Sequence, residues 1–146
     1  MDSLRRSWLG ILGIASLLAA AACAFDPRAR TLLRDPPAPD EILLAAATVH
    51  PGPLLWIDAR SATEFANGHI PESIPLTLDD WDSQIVELLA RWQPGMRVIV
   101  YCDDRACGSS RSVAEKLRRE YQFDDVLILH GGWSAWQKSQ PIPQPR

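Results

Sequence analysis

Residues 98–114 read Val98-Ile99-Val100-Tyr101-Cys102-Asp103-Asp104-Arg105-Ala106-Cys107-Gly108-Ser109-Ser110-Arg111-Ser112-Val113-Ala114. The β-branched and aromatic residues at the start of this stretch predict a buried strand that ends at Cys102. Apolar residues at helical spacing then predict an amphipathic helix, with Ser109 and Ser110 as candidate N-caps. The apolar positions of that helix are Val113, Ala114, Leu117 and Tyr121. Residues 102–108, here called the cysteine loop, therefore join a strand to a helix.

The cysteine loop has the layout of a site for an anion or a thiolate. Backbone N–H groups of a tight loop and of the next helix's first turn point toward the strand end, where Cys102 stands. Such donors and the helix dipole lower the pKa of a thiol. Alternatively, Cys102 is only the last buried residue of a core strand, because unpaired cysteine is often buried. Cys107 favours the functional interpretation, since an inert strand does not explain a second cysteine five residues later.

Three further segments have the pattern of strands. Leu54–Asp58 and Asp125–His130 contain continuous apolar runs, which are typical of strands buried on both faces. The proline-spaced segment Ser73–Leu76 predicts a short edge strand. Helical patterns alternate with the strands, so we predict an α/β fold: one domain with a mainly parallel sheet flanked by helices. In such sheets, sites lie at the carboxyl ends of the strands.

The helices are predicted from their caps and from their apolar spacing. In chain order they are Glu41–Val49 capped by Asp40, a turn from the Ser61–Glu64 capping box to Gly68, Asp80–Trp92, the helix after the cysteine loop, and a last short helix with Trp133 and Trp136. The two tryptophans share one face of the last helix, where we expect core packing.

The first 24 residues are typical of a secretory signal peptide. The pair Arg5-Arg6 precedes a short apolar run, and small residues follow from Ala19 to Ala24. Three outcomes are open: a lipoprotein signal in which Cys23 is lipidated, ordinary cleavage before Phe25, or an uncleaved anchor. Each places the protein in a bacterial cell envelope, on the periplasmic side. We expect contact with the membrane only through this segment or a lipid.

The remainder of the chain divides into three parts by composition. Residues 25–39 carry four prolines and predict an extended linker. Residues 40–137 form the predicted domain, and residues 138–146 a proline-rich, flexible tail. A chain of 146 residues is long enough to bury one core.

The balance of charge excludes nucleic acid as an expected partner. The chain has 18 acidic and 15 basic residues, and removal of residues 1–24 leaves 17 and 13, a net charge of −4. His50 and His130 lack the spacing of metal ligands, so we predict no metal and no cofactor. If Cys23 is lipidated, Cys102 and Cys107 remain, and two close thiols in an oxidising compartment can cycle with a disulfide.

Three separated motifs resemble those of a rhodanese-like domain, over about Asp40 to Gln137. They are Ile57-Asp58-Ala59-Arg60 with Glu64-Phe65 and Gly68-His69-Ile70-Pro71, the strand Val98–Tyr101 running into Cys102, and Val126 to Gly131-Gly132-Trp133. The resemblance implies a thiolate that accepts a sulfane sulfur as a persulfide and passes it to a nucleophile, while loop amides hold the sulfur. It also implies that Asp58, Arg60, Glu64 and His69 are structural supports rather than substrate contacts.

The cysteine loop departs from the family pattern. Rhodanese-like domains commonly have Cys-x4-Arg, and related phosphatases Cys-x5-Arg, whereas Cys107 and Gly108 stand at those positions here. The loop is similar to that of a subgroup with Tyr-Cys-x4-Cys-x2-Ser. A strand end is rigid and a loop accepts insertions, so we place the nucleophile at Cys102. Cys107 is its candidate partner. The candidate substrate contacts are Arg105, Gly108, Ser109, Ser110 and Arg111.

Three functions remain open from the sequence. The first is a sulfurtransferase that uses a small sulfur donor or a protein persulfide, with a thiol acceptor. The second is a relay in which Cys107 resolves the intermediate on Cys102. The third is a binding module of the cell envelope without turnover. Phosphatase activity is excluded, because no arginine has the spacing to hold a phosphoryl group.

The acidic residues of the loop predict the class of donor. Asp103 and Asp104 follow Cys102 directly, and carboxylates oppose both thiol ionisation and the approach of an anion. Arg105 and Arg111 are the cations that can offset them. We therefore expect thiosulfate to be a poor donor.

Overall fold

The computed structural model describes residues 36–103 and 108–140. The predicted signal peptide with Cys23, and also Asp104, Arg105, Cys107 and the end of the tail, lie outside these residues. The boundaries predicted for the signal peptide and the linker therefore stay predictions.

The described residues form an α/β domain with a five-stranded, entirely parallel sheet, which confirms the predicted fold class. The strand order across the sheet is β1-β5-β4-β2-β3. The strands are β1 (Glu41–Ile42), β2 (Leu54–Asp58), β3 (Ile74–Pro75), β4 (Arg97–Tyr101) and β5 (Val126–Leu129). Their carboxyl ends lie at one end of the sheet, which we call the carboxyl end, and their first residues at the amino end.

Helices cover both faces of the sheet. They are α1 (Leu44–Thr48), α2 (Ala62–Asn67), α3 (Trp81–Arg91), α4 (Ser109–Glu120) and α5 (Gly132–Ser139). α5 ends two residues beyond Gln137, where the domain was predicted to end. In the described part of the chain, no helix has the length and apolar character of a membrane span.

The central strand β4 faces a different apolar cluster on each side, because alternate side chains of a strand point to opposite faces. Val98 and Val100 pack with Leu88 of α3 and Leu117 of α4. Ile99 and Tyr101 belong to the cluster that includes Ala47 of α1, Trp133 and Trp136 of α5, as predicted for the two tryptophans. Both faces of β4 are therefore buried, and its carboxyl end is held firmly at the centre of the sheet.

The prediction of a helix that starts at Glu41 with Asp40 as its cap was wrong. Asp40 does not cap a helix, and Glu41–Ile42 form β1 rather than a first helical turn. The carbonyls of Asp40 and Ile42 accept hydrogen bonds from the N–H groups of Ile128 and His130, at 2.9 Å each. Strand pairing with β5 therefore satisfies this backbone, and the helix begins only at Leu44.

Two local helix predictions were also wrong. Gly108, not a serine, is the N-cap of α4, and Ser109 and Ser110 lie in the first turn. The apolar spacing over Asp80–Trp92 predicts that Val86 and Leu89 lie on the buried face of the helix, yet in α3 these residues are 65% and 45% exposed. The buried residues of α3 are Trp81, Ile85 and Leu88.

Candidate functional site

Cys102 lies directly after β4, at the carboxyl end of the central strand. Its side chain is buried, with 2% of the residue exposed. The Cys102 Sγ atom lies 3.2 Å from the hydroxyl of Ser110, which is itself buried in the first turn of α4. A hydroxyl at this distance can donate to a thiolate. The Ser110 hydroxyl therefore contacts the thiol and does not cap the helix.

The first turn of α5 binds the main chain of Cys102 and Asp103, the first two residues of the cysteine loop. The Trp133 N–H donates to the Cys102 carbonyl at 2.6 Å, and the Ser134 N–H donates to the Asp103 carbonyl at 3.0 Å. A Cβ atom on Gly132 would lie 2.2 Å from the Cys102 carbonyl oxygen, and its φ of +52° also favours glycine. Glycine at this position therefore lets α5 approach the main chain of Cys102.

A buried ion pair lies beside the loop. Arg60 donates to the Asp58 carboxylate through Nε and Nη2, and Nη2 also donates to the Gly68 carbonyl at 2.7 Å. Although burial disfavours the Arg60 charge, the hydrogen bonds and charge of Asp58 raise its pKa above the ordinary value. The guanidinium lies over the Trp133 ring, 4.6 Å from the ring centroid. The pair thus connects the end of β2 with the helix that holds the cysteine loop.

Tyr101 joins the same network from β4. Its hydroxyl donates to Asp58 at 2.7 Å and accepts from the Ile70 N–H at 3.0 Å. Burial above all raises the pKa of Tyr101 far above its usual range, so the hydroxyl remains protonated. The residue before Cys102 is therefore anchored to β2 and to the chain leading into β3.

The predicted supports Glu64 and His69 both lie around α2. Glu64 and Ser61 form a capping box, as predicted from the sequence. The His69 ring stacks on Phe65 with 3.9 Å between centroids, and its Nδ1 lies 2.9 Å from the Phe65 carbonyl. These contacts fix the segment between β2 and Ile70.

The Asp103 carboxylate faces the supporting network. Its Oδ1 lies 3.7 Å from Nη1 of Arg60, and its side chain is half exposed. Burial, and then the nearby Glu64 carboxylate, raise the pKa of Asp103. Hydrogen bonds from Ser61 lower the pKa of the neighbouring Glu64. Arg60 offsets part of the negative charge that the sequence places beside Cys102.

Arg111, a predicted substrate contact, is engaged elsewhere. Its Nη1 lies 2.7 Å from Asp40 and its Nη2 3.3 Å from Glu41. The two carboxylates compensate the guanidinium charge. Of the other predicted contacts, Gly108 and Ser109 lie at the start of α4 beside Ser110, while Arg105 lies outside the described residues. Cys107, the predicted catalytic partner of Cys102, lies outside them as well.

A groove of about 380 Å³ opens next to the cysteine loop, at the carboxyl ends of β2 and β3. Ser109 and Arg60 line it on the side of the loop, and Leu78, Asp79 and Asp80 line it after β3. Sequence reasoning missed the last three residues. Their position after a predicted edge strand was the available signal, because sites gather at strand ends.

Sequence reasoning also missed the main-chain role of Gly132 and Trp133. The available signal was the Gly131-Gly132 pair, because glycine lets two backbone segments approach each other closely. Within residues 36–103 and 108–140, no group of three or more histidine, cysteine or acidic residues could hold a metal ion. The chemistry available here is that of a buried thiol with a hydroxyl partner.

Comparison with known proteins decides the family. A model of the rhodanese-like domain matches residues 43–139. The chain belongs to the rhodanese-like domain family. Among the described residues, the matched region includes all five helices, and all strands except β1.

Solved structures share the fold of this rhodanese-like domain. A protein from Bacillus halodurans aligns with a TM-score of 0.56 and 24% identity, over 67% of this chain and 71% of that chain. A rhodanese-like domain protein from Staphylococcus aureus aligns with a TM-score of 0.50 and 24% identity, over 66% and 90%. A protein from Anabaena sp. gives 0.50 and 23%, over 67% and 75%. At these identities the likeness concerns the fold alone.

Proposed function

We propose that this protein is an exported sulfurtransferase-like carrier that holds sulfane sulfur as a persulfide on Cys102. The observation that carries the proposal is the environment of the thiol. Cys102 ends the central strand, its Sγ lies 3.2 Å from the Ser110 hydroxyl, and α5 holds its carbonyl. Membership of the rhodanese-like family supports the same chemistry, because sulfur transfer through a cysteine is common in that family.

The transfer needs no external oxidant. The Cys102 thiolate attacks the sulfane sulfur of the donor, a new S–S bond forms, and the donor's S–S bond breaks with its electron pair leaving on the remaining group. An acceptor thiolate then attacks the outer sulfur, and Cys102 leaves as a thiolate. Ser110 can donate to the sulfur in the thiolate state and in the persulfide state. The first turn of α4 favours a negative charge on that sulfur.

The charges around Cys102 favour a neutral donor or a protein-borne persulfide over thiosulfate. Thiosulfate is a dianion, and Arg111, the described cation of the predicted substrate contacts, is paired with Asp40 and Glu41. Asp103 carries a carboxylate one residue from the thiol. A site with compensated cations and a neighbouring acid attracts a dianion weakly.

Mass analysis of the full chain tests persulfide formation. After exposure to a small alkyl hydropersulfide, whose outer sulfur is transferred while its thiolate leaves, we expect a gain of about 32 Da that peptide mapping assigns to Cys102. Cys102→Ser should lose the gain, and the matched Cys107→Ser variant should keep it. The same mass gain on Cys107 in the Cys102→Ser variant would show that Cys107 is the nucleophile and that our assignment of Cys102 is wrong.

The same spectra separate the alternative functions. A loss of about 2 Da without sulfur uptake indicates a disulfide between Cys102 and Cys107, and hence a thiol–disulfide relay. No change with any sulfane donor indicates a binding module. Either result would overturn the proposal of a sulfur carrier.

The proposal of export depends on residues 1–24 and on no described contact. We expect the mature protein to begin at Cys23 with a lipid, or at Phe25 without one, on the periplasmic side of the envelope. Cell fractionation with N-terminal mass mapping distinguishes these outcomes. If the natural protein is lipidated, the Cys23→Ser variant should leave the membrane fraction. Unprocessed protein free in the cytoplasm at steady state would contradict export.

A further inference from the structure

A cluster of charged side chains joins β1 to the two elements beside the cysteine loop. One oxygen of Glu41 lies 2.8 Å from Nδ1 of His130, and the other lies 3.3 Å from Nη2 of Arg111. The side chains of Glu41 and His130 are nearly buried, with 8% and 11% exposed. Glu41 also accepts from the Ala38 N–H at 3.1 Å. One carboxylate therefore bridges three segments of the chain.

Both partners of Glu41 adjoin residues that fix Cys102. Arg111 follows Ser110, the residue whose hydroxyl lies at the Cys102 sulfur. His130 directly follows β5 and lies three residues before Trp133, whose N–H donates to the Cys102 carbonyl. The bridge thus connects the start of α4 with the turn that leads into α5. β1 itself pairs with β5 through only two residues, so side-chain contacts contribute much of its attachment.

We propose that Glu41 is a positioning residue for Cys102, and that its bridge to His130 makes the burial of the thiol depend on pH. Glu41 touches no reacting atom in this scheme; it holds α4 and the β5–α5 turn at a fixed distance on the two sides of the cysteine loop. The consequence for sulfur transfer depends on the function proposed above, whereas the burial of the thiol can be measured without it.

The sign of the pH effect follows from the charges that face His130. Glu41 lies against it from β1, and behind Glu41 are Arg111 and Arg118 of α4 and Asp40 before β1. An imidazole gains a proton as the pH falls. When the His130 ring carries a proton the bridge is an ion pair, and when the ring is neutral the bridge is a hydrogen bond. The hold on the loop is stronger on the acid side.

The test is the alkylation rate of Cys102 in the full-length chain, measured by peptide mapping with iodoacetamide between about pH 5.5 and pH 8. With 2% of Cys102 exposed, the reagent reaches the thiol only when its buried surroundings open. Glu41→Gln should raise the rate about fivefold at pH 6. Glu41→Asp, which keeps the carboxylate, should recover part of the difference. Dividing the rate of each variant by the wild-type rate at the same pH cancels the effect of thiol ionisation on the rate.

His130→Asn separates positioning from a general structural role. Asparagine keeps a donor near the position of Nδ1 but cannot become charged. We expect its rate ratio to be about threefold at the acid end of the pH range and to approach one at the alkaline end. A loss of packing alone would raise the ratio equally at every pH.

The matched control is His50→Asn at the amino end of the sheet. The Nδ1 atom of His50 lies 3.3 Å from Nη1 of Arg97, far along the strand from Cys102. Its ratio should stay near one throughout. A ratio of one for Glu41→Gln and Glu41→Asp at all pH values, or an equal effect of His50→Asn, would overturn the inference. If the wild type takes up no sulfur, the proposed function fails while the alkylation ratios still decide the role of Glu41.

Discussion

The two ends of the sheet each carry an arginine–aspartate pair, and the pairs differ in their surroundings. At the carboxyl end, the side chains of Arg60 and Asp58 are 3% and 0% exposed. At the amino end, Arg97 and Asp125 lie 2.8 Å apart with 25% and 40% of their side chains exposed. The buried pair has further partners in Gly68 and Tyr101, and the open pair has His50.

The difference shows at which end of the sheet an ion pair fixes the positions of neighbouring residues. Burying two charges costs desolvation free energy, which the attraction between them repays only with complete hydrogen bonding. The open pair costs little and contributes little. We interpret the carboxyl-end pair as a device that fixes the ends of β2 and β4 beside Cys102, rather than as a source of net stability.

The largest effect that tests this comparison is the loss of one carboxylate at each end. Asp58→Ala leaves the Arg60 charge buried without its main partner and should lower the free energy of unfolding by about 3–5 kcal/mol. The matched Asp125→Ala should cost less than about 1 kcal/mol. Urea unfolding measures both. Equal costs would remove the distinction between the two ends.

Two glycines with positive φ sharpen the comparison. Gly132 (φ +52°) lies against the Cys102 carbonyl, whereas a Cβ on Gly95 (φ +87°), before β4, would meet nothing within 4 Å. Gly95→Ala should cost about 1–2 kcal/mol, because only the backbone conformation is unfavourable. Gly132→Ala should cost about 3 kcal/mol, since the loop must also move and lose a hydrogen bond.

The readout for the glycine pair is thermal unfolding together with alkylation of Cys102. Gly132→Ala should speed alkylation, because the main chain of Cys102 is displaced from α5, and Gly95→Ala should not. Equal unfolding costs with equal alkylation rates would mean that α5 does not hold the loop.

The smallest expected effect on the free energy of unfolding comes from neutralising one aspartate at each end of the sheet. Its sign differs between the two ends. The pKa of Asp103 is raised, so its ionised form opposes folding at neutral pH, and this cost disappears as the pH falls below that pKa. Asp103→Asn should therefore raise the free energy of unfolding at pH 7 by less than about 1 kcal/mol, because the side chain is half exposed. At about pH 3 the gain should vanish.

Asp125→Asn supplies the matched measurement for Asp103→Asn. It removes an attractive contact with Arg97 and should lower the free energy of unfolding at pH 7 by less than about 1 kcal/mol. Two changes of the same sign at pH 7 would contradict the charge arrangement described for the carboxyl end.

Features that depend on neighbouring residues were predictable from the sequence. The apolar runs of β2, β4 and β5 predicted buried strands, and the Ser61–Glu64 pair predicted the start of α2. These patterns are local, because burial on both faces and capping are decided within a few residues. The position of Cys102 at a strand end followed from the same reasoning.

Features that depend on distant residues were not predictable in this way. Glu41 is 89 residues from His130, and nothing near Glu41 in the sequence indicates a strand of two residues. Asp40 before an alanine-rich segment has the pattern of a cap, but pairing with β5 decides its conformation. Ser110 likewise has the composition of a cap, and its hydroxyl is directed to a cysteine by the fold. Tertiary contacts outweigh local preference at all three positions.

The hydrogen bond from Trp133 to the Cys102 carbonyl has a consequence for the order in which the molecule is completed. Trp133 is 31 residues downstream of Cys102, in the last helix of the described chain. A nascent or truncated chain that stops before Gly132 contains β4, α4 and both loop cysteines, yet it lacks the donors that orient the peptide after Cys102. Because a trans peptide points its N–H opposite to its C=O, those donors also set the direction of the Asp103 N–H. The thiol therefore acquires its final surroundings only after the C-terminal helix has folded onto the sheet.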